Sequence, residues 1–250
     1  MLEPVAVPSS RQRSVVFSER FQGPPHMANG GFIAGTLARA VGGPAEITLR
    51  RPVPLDRPVR ISRSGSKVEL WDGEVFLAAG EAADPEVEVP GPIPFVSAIA
   101  AAFCFPDHDQ HPFPNCFVCG PARKSSDAMR LLPGPTYKPG IVAAPWTPDP
   151  ALCRDVAGKL VDDVPVQLSW AALDCPGAWG IMSAPHIGPR PMVLGRIAGR
   201  VIRAPRVGAR HVVMGWRIGE ERRKHFCGTA VFDEHGQLCA CARSTWIALG

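Results

Sequence analysis

Asp174 is the one charge in the run 164–179, VPVQLSWAALDCPGAW. It shares a helical stripe with Gln167, Trp170 and Ala171. A carboxylate on such a face must be tied to N–H donors or an arginine, or else its pKa rises into a range useful for proton transfer. Both outcomes remain open on the residues alone. Asn29, Gly30 and Gly31 begin an earlier apolar stretch. N–H groups unpaired at a helix start can hold an oxyanion, and small residues there also allow tight packing on a sheet. His26, just ahead of them, could orient a substrate or cap the helix. Ser244, near the end of the last strand candidate, is a polar candidate if it faces a cleft. His108, His111, Cys116 and Cys119 have H-x2-H-x4-C-x2-C spacing, a donor set chemically right for zinc.

These groups need elements to position them. Val166, Trp170, Leu173 and Gly177 recur at i, i+4, i+7 and i+11, which predicts one helix through 164–179 buried nearly all round. The stretch 32–41 reads as a second helix, with Ile33, Leu37 and Val41 on one face and Ala34, Gly35 and Ala38 keeping another face thin. Strands are expected at 14–21, 45–50, 59–63, 67–71 and 74–82, with Asp72-Gly73 as a hairpin turn. The segment 84–94 reads as an outer loop and 95–103 as a short helix. Further strands are expected around Leu131 and at 141–146, 193–202, 211–216, 224–232 and 238–247.

Composition bounds the class. The chain has 250 residues, 46% of them hydrophobic, so a sizeable core is available. The 28 prolines and 25 glycines suit strands joined by tight turns. A formal charge of +4 with scattered Lys and Arg gives no nucleic-acid footprint, although an anionic ligand is compatible. The first residues contain no apolar leader core, and no run reaches the ~20 apolar residues of a membrane span. The expectation is therefore a cytoplasmic protein, its eight cysteines reduced thiols.

The plan repeats. The first helix leads to LRRPVPLDRPVRI and the second to VIRAPRVGARHVV, each with basic residues, a proline, a short turn and a strand. Helix followed by meander occurs twice. The expected fold class is α+β: a double hotdog of two tandem units, each a central helix wrapped by an antiparallel sheet. The units would span residues 1–105 and 115–250, with PDHDQHPFP at 106–114 as the linker.

The letters support this. NGGFIAGTLARA, then ITLRRPVP and KVELWDGEVFLAAGEA, resemble the first half of acyl-CoA thioesterase II (TesB-like) proteins of the hotdog-fold thioesterase superfamily. CFVCGPARKSSDAMRL is similar to the CFxCGxxNPxGL opening of single hotdog thioesterases, which also accounts for the Cys116/Cys119 pair, so no metal and no cofactor is expected. The resemblance implies hydrolysis of an acyl-CoA or acyl-carrier-protein thioester. Asp174 falls where the family carries its acid. The family's threonine and glutamine partners fall near Gly195 and Ser244. Asp174 would act as base or nucleophile, with Gly30 and Gly31 N–H groups on the oxyanion. His26, Asn29, Trp170 and Trp179 would shape the substrate site, and Arg196, with Arg200 and Arg203, would meet phosphates.

Two other classes are weighed on the same fold. A hydratase would show D-x4-H, which is absent; HPFP at His111 resembles the H-F-P-G stretch of dehydratases, but no glutamate-bearing helix follows. A non-catalytic acyl-CoA-binding protein would tolerate the replaced partners. Homo-oligomers would use the outer sheet faces.

Overall fold

The computed structural model describes residues 13–105, 111–154 and 158–249. Among the described residues, eleven strands join one antiparallel sheet. Its N-terminal half holds β1 (Arg13–Val16), β2 (Ala45–Leu49), β3 (Pro58–Ser64), β4 (Lys67–Asp72) and β5 (Val75–Ala82). The other half holds β6 (Gly134–Pro135), β7 (Ile141–Trp146), β8 (Met192–Val201), β9 (His211–Glu221), β10 (Lys224–Asp233) and β11 (Leu238–Ala248). The order is β1-β3-β4-β5-β2-β8-β11-β10-β9-β7-β6, so the halves meet at β2 and β8. That seam runs from Ala45↔Gly199 to Thr48↔Arg196.

Helix α1 (Gly30–Val41) begins with an Asn29 cap, whose side chain accepts the Phe32 N–H at 2.9 Å. It ends at Gly42, whose φ of 96° is the left-handed closure that glycine permits. Its buried stripe includes Gly31, Gly35 and Ala38, spaced to lie on one face. A Cβ at Gly35 would stand 2.6 Å from Gln167 Cα, and one at Gly31 would stand 2.8 Å from the Trp170 carbonyl oxygen. Backbones cross this closely only without side chains between them.

The expected single helix over 164–179 is two helices, α3 (Val166–Ala172) and α4 (Cys175–Met182). Asp174 sits in the break with φ −89° and ψ −88°. The cause is Pro176, which has no N–H for the Ala172 carbonyl and whose ring crowds it. The freed Leu173 carbonyl accepts the Thr229 hydroxyl at 2.8 Å. Helix α4 then presses on β9, where a Cβ at Gly215 would lie 1.9 Å from Pro176 O.

Between the helices and one face of the sheet lies the main core, including Leu37, Ile47, Leu70, Trp170 and Ile197. A second core covers the opposite face, where Ile93 and Ala98 of the segment leading into and through α2 (Phe95–Phe103) pack on Met214 and Phe232. Val213 faces the first core and Met214 the second, as strand alternation requires.

Three smaller points concern single segments. The first strand stops at Val16, and Glu19–Phe21 forms a 3-10 turn capped by Ser18. Leu131 is buried but outside any strand. Of the expected linker only residues 111–114 are described, with His111 7% exposed and Phe113 packed against the core. His108 lies outside the described residues. Among the described residues, no helix is long and apolar enough to cross a membrane.

Candidate active site

Asp174 is buried where α1 meets the α3–α4 break. Its Oδ2 accepts two hydrogen bonds from the far half of the chain, from Asn29 Nδ2 and from the Gly31 backbone N–H, each at 2.9 Å. Oδ1 has no partner among the described residues. Burial pushes the carboxyl up to about 7; the Gly31 N–H opposes this, the Cys116 sulfur adds to it, and the Asn29 amide opposes it.

Asp174, Asn29 and Gly30 line a cavity of about 450 Å³. Ile33, Trp179, Met182, Leu194 and Trp246 give it apolar walls. Arg50, Arg51, Arg190 and Arg223 are exposed and also belong to its lining, while Asp174 is its single carboxylate among the described residues. Cationic rim and apolar depth together suit an amphipathic anion.

Three cysteines complete one wall. Cys116 and Cys175 Sγ are 3.7 Å apart, and Asn29 Nδ2 is 3.9 Å from each. Cys119 Sγ lies 3.3 Å from His111 Nε2. Hydrogen bonds from Cys119 and Cys175 hold the Cys116 thiol well below its usual range, and the same sharing pushes the other two above theirs.

The residues expected at the site divide clearly. Asp174, Asn29, Gly30 and Trp179 lie on the cavity, and Gly31 is beside it with its N–H donated to Asp174. That N–H therefore positions the carboxylate instead of standing free for an oxyanion. His26 is exposed on a turn with φ 62° and is not part of the lining. Trp170 is buried against Gly35 and Gly199, away from the cavity. Arg196 pairs with Glu46 at 3.2 Å and clasps the β2–β8 seam; Arg200 and Arg203 pair with Asp84 and Asp233. Gly195 is on the cavity, whereas Ser244 is buried outside its lining, with its hydroxyl unpartnered among the described residues. The rim arginines and Cys175 were missed by sequence reasoning. Arg50 and Arg51 were visible only as a basic pair before Pro52, and Cys175 only as the neighbour of Asp174.

No protein-family model matches the sequence, and no curated protein matches it. Solved structures do match over nearly the full length. An acyl-CoA thioesterase II, TesB2, from Mycobacterium marinum aligns with 13% identity and a TM-score of 0.58, covering 95% of this chain and 93% of that one. A trans-AT polyketide synthase dehydratase domain from Brevibacillus brevis aligns with 14% identity and a TM-score of 0.60, covering 96% and 93%. A protein of Alicyclobacillus acidocaldarius described as having a hot dog fold aligns with 9% identity and a TM-score of 0.53, covering 98% and 95%. The chain has the hotdog fold, and thioesterase II structures are among those it resembles over nearly their whole length.

Proposed function

We propose that this chain is a tandem double hotdog, residues 1–105 and 115–250 joined through 106–114, that hydrolyses the thioester of an acyl group carried on coenzyme A or an acyl carrier protein. The observation that carries the reading is the Asp174 carboxylate, fixed at Oδ2 by Asn29 and Gly31 and unpartnered at Oδ1, in the wall of an apolar cavity with an arginine rim.

The acyl chain lies along Ile33, Met182 and Trp246, and the carrier's phosphates meet Arg50, Arg51, Arg190 and Arg223. Asp174 Oδ1 takes a proton from water as its oxygen bonds to the thioester carbon. The carbonyl becomes an oxyanion, for which the Gly30 N–H, in the first turn of α1, is the nearest helix-start donor left once Gly31 serves Asp174. Collapse breaks the C–S bond, and the proton held by Asp174 passes to the departing thiolate. Products are a carboxylic acid and a free thiol.

The test incubates the purified full chain with acyl-CoAs of several lengths and separates free CoA chromatographically, because a thiol reagent would also modify the protein's own cysteines. Release of CoA above the uncatalysed rate is expected. Saturable acyl-CoA binding with no release would replace hydrolysis by an acyl-CoA-binding role, which the absence of side-chain partners at Gly195 and the position of Ser244 outside the cavity would then explain. Hydration of an enoyl thioester in place of hydrolysis would move the chain to the dehydratase class.

A further inference from the structure

We propose that Cys116, Cys119 and Cys175 bind one zinc ion through their three thiolates in the cavity wall, with the fourth coordination position open to the cavity. The CxxC pair alone is accounted for by its similarity to a hotdog opening, and on that ground no metal was expected. The third sulfur changes the argument. Cys175 is 59 residues beyond Cys116, yet the three Sγ atoms all lie within 4.8 Å of one another.

The spacing fits a metal. Zinc–sulfur bonds of about 2.3 Å at tetrahedral angles place paired sulfurs about 3.8 Å apart, and Cys116 and Cys175 are 3.7 Å apart. No disulfide links them, since all eight cysteines are free. The loop is built to turn its sulfurs inward: the Gly120 N–H bonds Cys116 O at 2.8 Å, and a Cβ at Gly120 would fall 2.4 Å from that oxygen. Cys175 arrives from the first residue of α4, fixed by the break at Asp174.

Polar side chains reach all three sulfurs. Asn29 Nδ2 points between Cys116 and Cys175. The Phe113 N–H donates to His111 Nδ1 at 2.9 Å, so in the neutral ring Nε2 carries the proton and donates toward Cys119 Sγ. His111 is thus a support for a ligand sulfur, of the kind that orients first ligands and tunes a metal. Three thiolates and a dication leave one negative charge, far less costly to bury than three bare thiolates. Each sulfur loses its proton to solvent as the metal bond forms. The three cysteines and His111 all line the cavity, so a water or a substrate atom can reach the remaining position.

Zinc is added to the full chain, excess is removed by exhaustive dialysis, and bound metal is counted by elemental analysis. One zinc per chain is expected. Cys116→Ser, Cys119→Ser and Cys175→Ser should each lose it, while Cys104→Ser, exposed, and Cys153→Ser, buried elsewhere, should keep it. His111→Ala should keep the stoichiometry with affinity lowered about 10–100-fold. Because a cysteine variant could fail to fold, cobalt is also titrated into the wild type, where a thiolate-to-cobalt charge-transfer band should saturate at one equivalent. No bound zinc and no such band would overturn the site, as would zinc retained in the three cysteine variants. Loss of zinc from His111→Ala as complete as from the cysteine variants would overturn the open fourth position. None of these readouts depends on hydrolysis, so the metal site and the proposed activity can fail separately.

Discussion

Gly31 and Asp174, 143 residues apart in the chain, meet through a 2.9 Å hydrogen bond from backbone N–H to carboxylate. One belongs to the helix of the first half and the other to the break between the helices of the second. The carboxylate is therefore held only where α1 meets the α3–α4 break, and the packing of those helices and the geometry of the site are one problem.

Asn29 tests this coupling because it has two jobs: its Oδ1 caps α1 and its Nδ2 holds Asp174. Asn29→Ala should lower unfolding free energy by about 0.5–2 kcal/mol from the cap alone. Asn29→Ser restores a capping oxygen but no amide. Urea unfolding should find it more stable than Asn29→Ala, while both lose acyl-CoA turnover to a similar degree. Equal stability of the two would show that the cap contributes nothing.

Gly35→Ala should destabilise by about 1–3 kcal/mol, because its methyl would meet the Gln167 backbone of α3 and the Trp170 side chain. Gly43→Ala, just past the same helix and with nothing within 4 Å of the added carbon, is the control and should be near neutral. The comparison is read as a difference in urea midpoint.

The rim arginines should act on binding alone. Arg50→Glu reverses an exposed charge on the cavity lining, so KM for acyl-CoA should rise about 5-fold, equivalent to ~1 kcal/mol, with kcat and Tm little changed. The effect should shrink in high salt. An unchanged KM at low ionic strength would place the phosphates elsewhere.

Acid should destabilise the fold partly through His211. Its ring is buried; Nδ1 donates to Ala209 O at 3.0 Å and Nε2 accepts the Arg206 N–H at 3.3 Å, which fixes the neutral form. The Trp146 ring lies beside it, tilted, with centroids 5.8 Å apart, and Asp233 and Glu234 are the carboxylates whose field reaches it. Burial lowers its pKa, outweighing those carboxylates. A lowered histidine pKa means the unfolded chain binds the proton first, so this contribution is full above about pH 6.5 and is lost as pH falls below it. His211→Gln should flatten the decline in unfolding free energy between about pH 7 and 5. An identical decline in both proteins would assign it to other groups.

Most strands and the 32–41 helix were legible because alternation and 3.6-residue periodicity are local, and nearly every strand fell where its pattern put it. Asp174 was legible for a related reason: a lone charge in an apolar run conflicts with its surroundings. Other features depended on contacts the sequence does not order. Periodicity carried one helix through Pro176, where the missing N–H divides it. Arg196 looked available for phosphate, but its partner Glu46 lies across the seam between halves. His26 and Trp170 had suitable chemistry, and neither reaches the cavity. Cys175 joins Cys116 and Cys119 only because the α3–α4 break points it back toward the 116–119 loop.

The most direct test is Asp174→Asn. The asparagine oxygen can still accept from both Asn29 and Gly31, so the fold should hold, and removing a desolvated charge should leave Tm unchanged or raised. CoA release is measured under saturating acyl-CoA alongside binding of the same ligand. The account predicts kcat lowered by ~10² or more, with binding and melting little altered. Full turnover in Asp174→Asn would contradict it.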